Sequence, residues 1–202
     1  MARYTGPKHS ICRTVGECLW GKPKCPATKR GFPPGQHGAR ARRKSTEYRK
    51  QLLEKQKLRL FYGMGERQFR NTFEKALRAK GITGDQFVQL LERRLDSVIY
   101  RSGFAPTIWS ARQLVGHGHF LVNNRPVDVP SYTIEPGDKI TLRPKSREIP
   151  LVVNSLKDGT AHLPPYLEVR SDEFSCQLVA LPRREDIRVR ADAQMVVEFY
   201  SR

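Results

Sequence analysis

Three of the chain's four cysteines fall in its first 25 residues, set with one histidine as His9-x2-Cys12-x5-Cys18-x6-Cys25, while Cys176 stands far downstream. Thiolates and an imidazole at such separations can close a tetrahedral zinc site, which would staple a segment that has no apolar core of its own. The two-residue first gap is the common one, and the later gaps are looser. One structural zinc on His9, Cys12, Cys18 and Cys25 is therefore one expectation, and a metal-free segment with free thiols is the other. No further cofactor is required. A disulfide framework does not suit a cytosolic chain, and the N-terminus MARYTGPKHS lacks the apolar core of a signal peptide, so a reducing, cytoplasmic setting is expected.

Catalytic chemistry is harder to find. The sequence holds no P-loop, GxGxxG, HExxH or GxSxG pattern, and Glu92, Asp96, Asp192 and Glu198 sit where helix caps and helix surfaces explain them. His37, His117 and His119 have no evident nucleophile or carboxylate partner in sequence. The positive charge is more informative. Lys and Arg number 37 against 20 Asp and Glu, a net +17 that predicts a polyanionic partner. Residues 1–60 hold 16 basic and 3 acidic side chains, so +13 of the total lies there. Such a segment repels itself when free and is expected to order on RNA. No apolar run approaches the roughly 20 residues of a membrane-spanning helix.

The elements that must position these residues follow from periodicity. Gly31-Phe-Pro-Pro-Gly-Gln-His-Gly38 can be neither helix nor central strand, and it exposes Phe32, Gln36 and His37 beside Arg40, Arg42, Arg43 and Lys44. Ser45 is placed to cap a helix with Tyr48, Leu52, Leu53 and Leu60 inward and Arg49, Lys50, Lys55, Lys57 and Arg59 outward. A second helix over 66–80 puts Phe69, Phe73, Ala76 and Leu77 on one stripe and ends at Gly81. A third, from about Asp85, buries Phe87, Leu90 and Leu91. Apolar residues then recur at helical spacing twice more, at Leu95, Val98 and Ile99 and at Ile108, Ala111, Leu114 and Val115. The second of these helices carries Trp109, Arg112 and Gln113 on its polar side, with His117 and His119 just beyond. The pattern then turns strand-like: Phe120 to Val122 runs into Asn123-Asn124, which can supply the positive-φ hairpin turn, and Lys139 to Leu142 forms a further strand. Residues 149–156 read as a short helix, and an irregular stretch is expected from Pro164-Pro165.

The runs RLDSVIYRSGFA and SARQLVGHGHFLVNNRPVDVPSYTIEPGDKI closely resemble the RNA-binding module named after small-subunit ribosomal protein four. GFPPGQHG, EKQKLRLFYGMGERQF and the terminal VVEFYSR are similar to the rest of that family. The resemblance implies an α+β, mostly helical chain in three parts. These are a basic extended segment over 1–44, a helical body over 45–90 and 158–202 that includes a C-terminal helix, and an inserted module of two helices with a small antiparallel sheet over 91–157. It implies that Gln36, His37, Arg40, Arg42, Arg43, Lys44, Arg49, Lys50, Lys55, Lys57, Arg94, Trp109, Arg112, Gln113, His117 and His119 face small-subunit ribosomal RNA. It further implies an early assembly role, an influence on translational accuracy, and ribosomal protein five and other small-subunit proteins as partners, with messenger RNA near its path into the subunit. Some members of the family carry a four-cysteine zinc site, and His9 stands where they have a cysteine. Two features depart from the family: Thr107-Ile108 replaces the usual hydroxyl-Arg pair, and Asn124 replaces a turn glycine. The same module also occurs on pseudouridine synthases and on a tyrosyl-transfer-RNA synthetase, and a stand-alone RNA-binding factor is a third class. The chain has only about 90 residues before the module and about 45 after it, which is short for an appended catalytic domain.

Overall fold

The computed structural model describes residues 6–20, 25–40, 46–157, 163–187, 189 and 191–201. These fall into two compact units, Met1–Glu74 with Val189–Arg202, and Lys75–Arg188.

In the first unit, α1 (Lys8–Val15) and α2 (Pro26–Lys29) pack on each other through Cys12, Leu19, Cys25 and Ala27. Gly16 ends α1 with φ 89°, a left-handed conformation that glycine adopts without a Cβ clash. Next come α3 (Glu47–Phe61) and the start of α4 (Glu66–Arg78). The cap of α3 is Thr46, whose side chain accepts from Arg49 N; Ser45 lies outside the described residues. The chain returns to this unit as α9 (Ala193–Tyr200), the helix expected from the family resemblance, which packs along α3. Asp192 caps α9 by accepting from Gln194 N and Met195 N. Glu198 bonds Gln51, and the Tyr200 ring stacks on Phe73 at 4.8 Å.

The second unit contains the end of α4, then α5 (Thr83–Glu92), α6 (Leu95–Arg101), α7 (Ile108–Gly116) and α8 (Pro150–Lys157). Its strands are β1 (Phe120–Val122), β2 (Arg125–Pro126), β3 (Lys139–Leu142), β4 (Leu167–Arg170) and β5 (Ser175–Leu178). Among the described residues they form one antiparallel sheet in the order β2-β1-β3-β5-β4. The β1–β2 turn is the expected one, with Asn123 at φ 49° and Asn124 at φ 64°. One sheet face presents Phe120, Val122, Ile140, Leu142, Cys176 and Leu178 to Leu95, Val98 and Ile99 of α6 and Ala111, Leu114 and Val115 of α7. Each large side chain so buried contributes about 1.5–3 kcal/mol relative to exposure.

The grouping of segments differs from the sequence expectation in two places. The end of α4 and α5 belong with the module rather than with the helical body, and so do residues 163–187, because β4 and β5 extend the module's own sheet. The stretch after Pro165 is thus a hairpin, its alternation carried by Leu167 and Val169 inward and Glu168 and Arg170 outward. The body therefore reclaims the chain only at Val189.

Asp192→Ala should remove the α9 cap and lower the stability of the first unit by about 1 kcal/mol. Denaturant midpoints compared with wild type check this. An unchanged midpoint would mean that packing alone sets where α9 begins.

Candidate nucleic-acid interface and metal centre

α1 carries His9 and Cys12 one turn apart, and α2 starts just after Cys25, so the helix pair brings these residues together. Their donor atoms all lie within 4.8 Å of one another, with His9 Nδ1 3.5 Å from Cys25 Sγ. Bond lengths of about 2.3 Å to sulfur and about 2.0–2.1 Å to nitrogen give a tetrahedral edge of about 3.6 Å, close to that separation. Burial, aided by the neighbouring thiols, pushes the Cys12 thiol up to about 12, so without a cation it stays protonated. Cys18 is half-buried against the same apolar cluster but is not part of the converging trio. Of the four expected ligands the fold therefore gathers three. This donor set suits a soft divalent ion, which would hold α1 to α2 and order the segment.

The Gly31–Gly38 loop leaves Phe32, Gln36 and His37 exposed, with Arg40 exposed just after it. Arg42, Arg43 and Lys44 lie outside the described residues.

The cations expected on the outside of α3 divide. Arg49 is half-buried, and Lys50 is exposed and paired with Glu47 at 2.7 Å. Lys55 and Lys57, however, are buried rather than RNA-facing. Lys55 donates to Glu66 at 2.8 Å and lies over the Phe199 ring, while Lys57 pairs with Glu17 and Glu54. The physical reason is that α3 is covered on more than one side, by α9 and by the α1–α2 pair, so no broad stripe remains for solvent. Burial works to raise the Glu66 carboxyl, but hydrogen bonds from Lys55 and Tyr200 and the charges of Lys55 and Arg59 outweigh it and hold the group below its ordinary range. What this pairing contributes is present at neutral pH and lost as pH falls through that lowered value.

Within the second unit, Asp96 is fully buried and accepts five bonds. Arg94 gives two, Nε to Oδ1 at 3.0 Å and Nη2 to Oδ2 at 2.9 Å. Arg112 gives Nε and Nη2 to Oδ2 at 3.0 and 2.6 Å, and Ser97 N adds 3.0 Å to Oδ1. The carboxylate sits in the first turn of α6, where the helix dipole favours negative charge. The segment 130–134 lies over that turn, with Leu95 N and Asp96 N donating to Tyr132 O and Pro130 O. Arg94 and Arg112, expected to meet RNA, are thus tied into an internal ion triad. Glu92 makes a second: it takes Arg101 Nε and Nη2 at 3.0 and 2.6 Å and the Tyr166 hydroxyl at 3.1 Å, and burial beside this carboxylate raises the Tyr166 phenol. Neither acid is the cap or helix-surface residue that the sequence suggested; Asp192, which caps α9, and Glu198, exposed on it, do fit that description.

The outward surface of the module is built from other groups. Gln113 and His117 are exposed, while Trp109 and His119 are half-buried. His119 Nδ1 lies 2.9 Å from Ser146 Oγ, and its ring is 6.0 Å from that of His117. Burial first, then the charges of His117 and Arg143, lower the His119 pKa, which favours a neutral ring at pH 7. Arg143 N donates to His119 O, and Lys145 and Arg147 are exposed on the turn that follows. In the sequence, the basic residues of this turn are the available signal. Thr107, followed by Ile108 rather than by an Arg, caps α7 in a reciprocal box with Ser110.

The sheet's outer face differs in kind. Lys139, Arg170, Glu168 and Glu173 pair among themselves there, so it carries little net charge.

Residues 3–92 match the family described as Ribosomal protein S4/S9 N-terminal domain, and residues 93–140 match the S4 domain. The chain is 48% identical over 202 residues to "Small ribosomal subunit protein uS4" of Brevibacillus brevis, with the whole of both chains covered. It is 46% identical over 209 residues to the protein of that name from Thermus thermophilus and 44% over 202 residues to that from Rubrobacter xylanophilus, again at full coverage of both.

Asp96→Asn should leave two guanidinium groups without their counter-charge and destabilise the second unit by about 3–5 kcal/mol. Equilibrium unfolding followed by tryptophan fluorescence checks this. A loss below about 1 kcal/mol would show that solvent reaches the triad freely.

Proposed function

Because the chain belongs to the family of small ribosomal subunit protein uS4, we propose that it is a structural, non-catalytic component of the small ribosomal subunit that binds small-subunit ribosomal RNA directly. One observation supports this above the others: basic charge is left over after the internal ion pairs are made. It remains on the N-terminal segment and on Arg143, Lys145 and Arg147, beside the polar groups of His117 and His119, while the sheet's outer face is neutralised. Polyanion binding needs such surplus charge, and rigid placement of part of it lets the module select one RNA shape. The RNA contacts of Gln36, His37, Arg40, Arg42, Arg43, Lys44, Arg49, Lys50, Trp109, Gln113, His117 and His119 belong to this reading. Arg94 and Arg112 serve it by holding α6 to α7. Residence in the cytoplasmic ribosome follows from the same reading, and among the described residues no helix is long and apolar enough to cross a membrane. Early binding during subunit assembly, an influence on accuracy, contact with ribosomal protein five and proximity to messenger RNA are its finer parts. An RNA-modifying enzyme is disfavoured, since the relatives matched end to end carry a ribosomal name.

We further propose that His9, Cys12 and Cys25 hold one zinc ion, with Cys18 as the fourth ligand after a local adjustment. The ion would supply no reaction, only a fixed joint between α1 and α2.

If roughly 6 to 10 phosphates are neutralised, affinity for a small-subunit ribosomal RNA transcript should fall on the order of a thousandfold between 50 and 200 mM salt. Deleting residues 1–44 should flatten that dependence. Filter binding across a salt series checks both, and a flat wild-type response would contradict the reading.

Elemental analysis of protein purified without chelator should find one zinc per chain, lost in Cys12→Ser and in Cys25→Ser. A chelator should loosen residues 6–40 in hydrogen exchange and leave the second unit unchanged. Zinc at trace level in the wild type would leave only free thiols.

A further inference from the structure

The loop between the two basic runs of the N-terminal segment is fixed from outside itself. Arg13, the residue after Cys12 on α1, donates Nε to Phe32 O and Nη2 to Pro33 O, both at 3.1 Å. The same guanidinium lies over the Phe32 ring, Cζ to centroid 5.0 Å, within cation–π range. The loop's far end is closed by Gly38, whose N donates to Gly35 O at 3.1 Å. A Cβ there would fall 1.9 Å from Pro33 O, so only glycine lets the two strands of the loop meet. Two prolines and this closure leave the loop little freedom, yet Phe32 is 38% exposed, and Gln36 and His37 are exposed, their side chains making no hydrogen bond among the described residues. Lys29, Arg30 and Arg40, all exposed, flank it.

A rigidly held, partly bare aromatic ring with a cation against it, set among exposed cations that meet no carboxylate among the described residues, suits a π-faced ligand that is also an anion. We infer that Phe32 is a stacking platform for an unpaired base of RNA and that Arg13 is the positioning residue that presents it. The inference rests on the RNA-binding reading and names a site within it. Unpaired bases expose the face that an aromatic ring needs, and duplex bases do not. Arg13 reaches the loop through two backbone carbonyls, a fork that lysine cannot reproduce. Because Arg13 adjoins Cys12, the joint between α1 and α2 also sets where the ring stands.

The test is binding of the full chain to a transcript of small-subunit ribosomal RNA across a salt series. Phe32→Leu, which keeps an apolar side chain, should weaken binding about tenfold with an unchanged salt slope, since stacking carries no counterion release. Phe32→Trp should restore affinity to within about twofold. Arg13→Lys keeps the charge and should match Phe32→Leu, and the double variant should be no weaker than either single one. Ultraviolet crosslinking, mapped by mass spectrometry, should join Phe32 to one RNA nucleotide. If wild type binds with a steep salt slope but Phe32→Leu binds as well as wild type, the stacking site is refuted while the RNA-binding reading stands. If wild type itself shows no salt-dependent binding, that reading fails first. Losses that multiply in the double variant would make Arg13 a phosphate contact and refute its positioning role.

Discussion

A single carboxylate, that of Asp96, takes four hydrogen bonds from Arg94 and Arg112 and so ties the first turn of α6 to α7. Its burial is tolerable only because every lone pair is met and the α6 amides meet segment 130–134. The outward side of α7, the turn after it and the hairpin all take their positions from this arrangement. Glu92, the last residue of α5, repeats the device with Arg101 of α6 and Tyr166, and so ties α5 to α6 and to the segment before β4. The module is thus an apolar helix–sheet core in which two buried acids, Asp96 and Glu92, are matched by arginines.

Internal pairing also decides where the protein can bind RNA. A chain of net +17 has cations to spare, and the fold spends some of them on its own acids: Lys55 on Glu66, Lys57 on Glu17 and Glu54, Arg94 and Arg112 on Asp96, Arg101 on Glu92. Among the described residues, cations without a carboxylate partner then concentrate around the Gly31–Gly38 loop and on the turn that carries half-buried Arg143 and exposed Lys145 and Arg147. Metal and loop are joined in the same economy of parts, since α1 bears both His9 and Cys12 and, next to them, the Arg13 that grips the loop.

Much of this was legible in the sequence. The periodicity of Leu95, Val98 and Ile99 and of Ile108, Ala111, Leu114 and Val115 placed α6 and α7, and Asn123-Asn124 placed the hairpin turn. What the sequence hid has a common cause. A buried ion pair looks like a solvated one until its partners are known, so Asp96 read as a cap and Arg112 as an RNA contact. Lys55 and Lys57 read as outward because helical periodicity assumes one covered side, whereas α3 has more. The β4–β5 hairpin was missed because its strands are four residues long and its turn, Ser171 to Phe174, uses neither Gly nor Asn; Phe174 itself takes the positive φ of 51°. Cys18 was grouped with the other ligands by spacing alone, and spacing could not say that the fold would converge only His9, Cys12 and Cys25.

The central claim is that surplus charge, not total charge, marks the RNA-facing surfaces. A crosslink map of assembled small subunits tests it most directly. The account predicts RNA crosslinks at the Gly31–Gly38 loop and at His117, Arg143, Lys145 and Arg147, with none at Lys139 or Arg170 on the sheet's outer face. Crosslinks concentrated on Lys139 and Arg170, with the other surfaces silent, would contradict it.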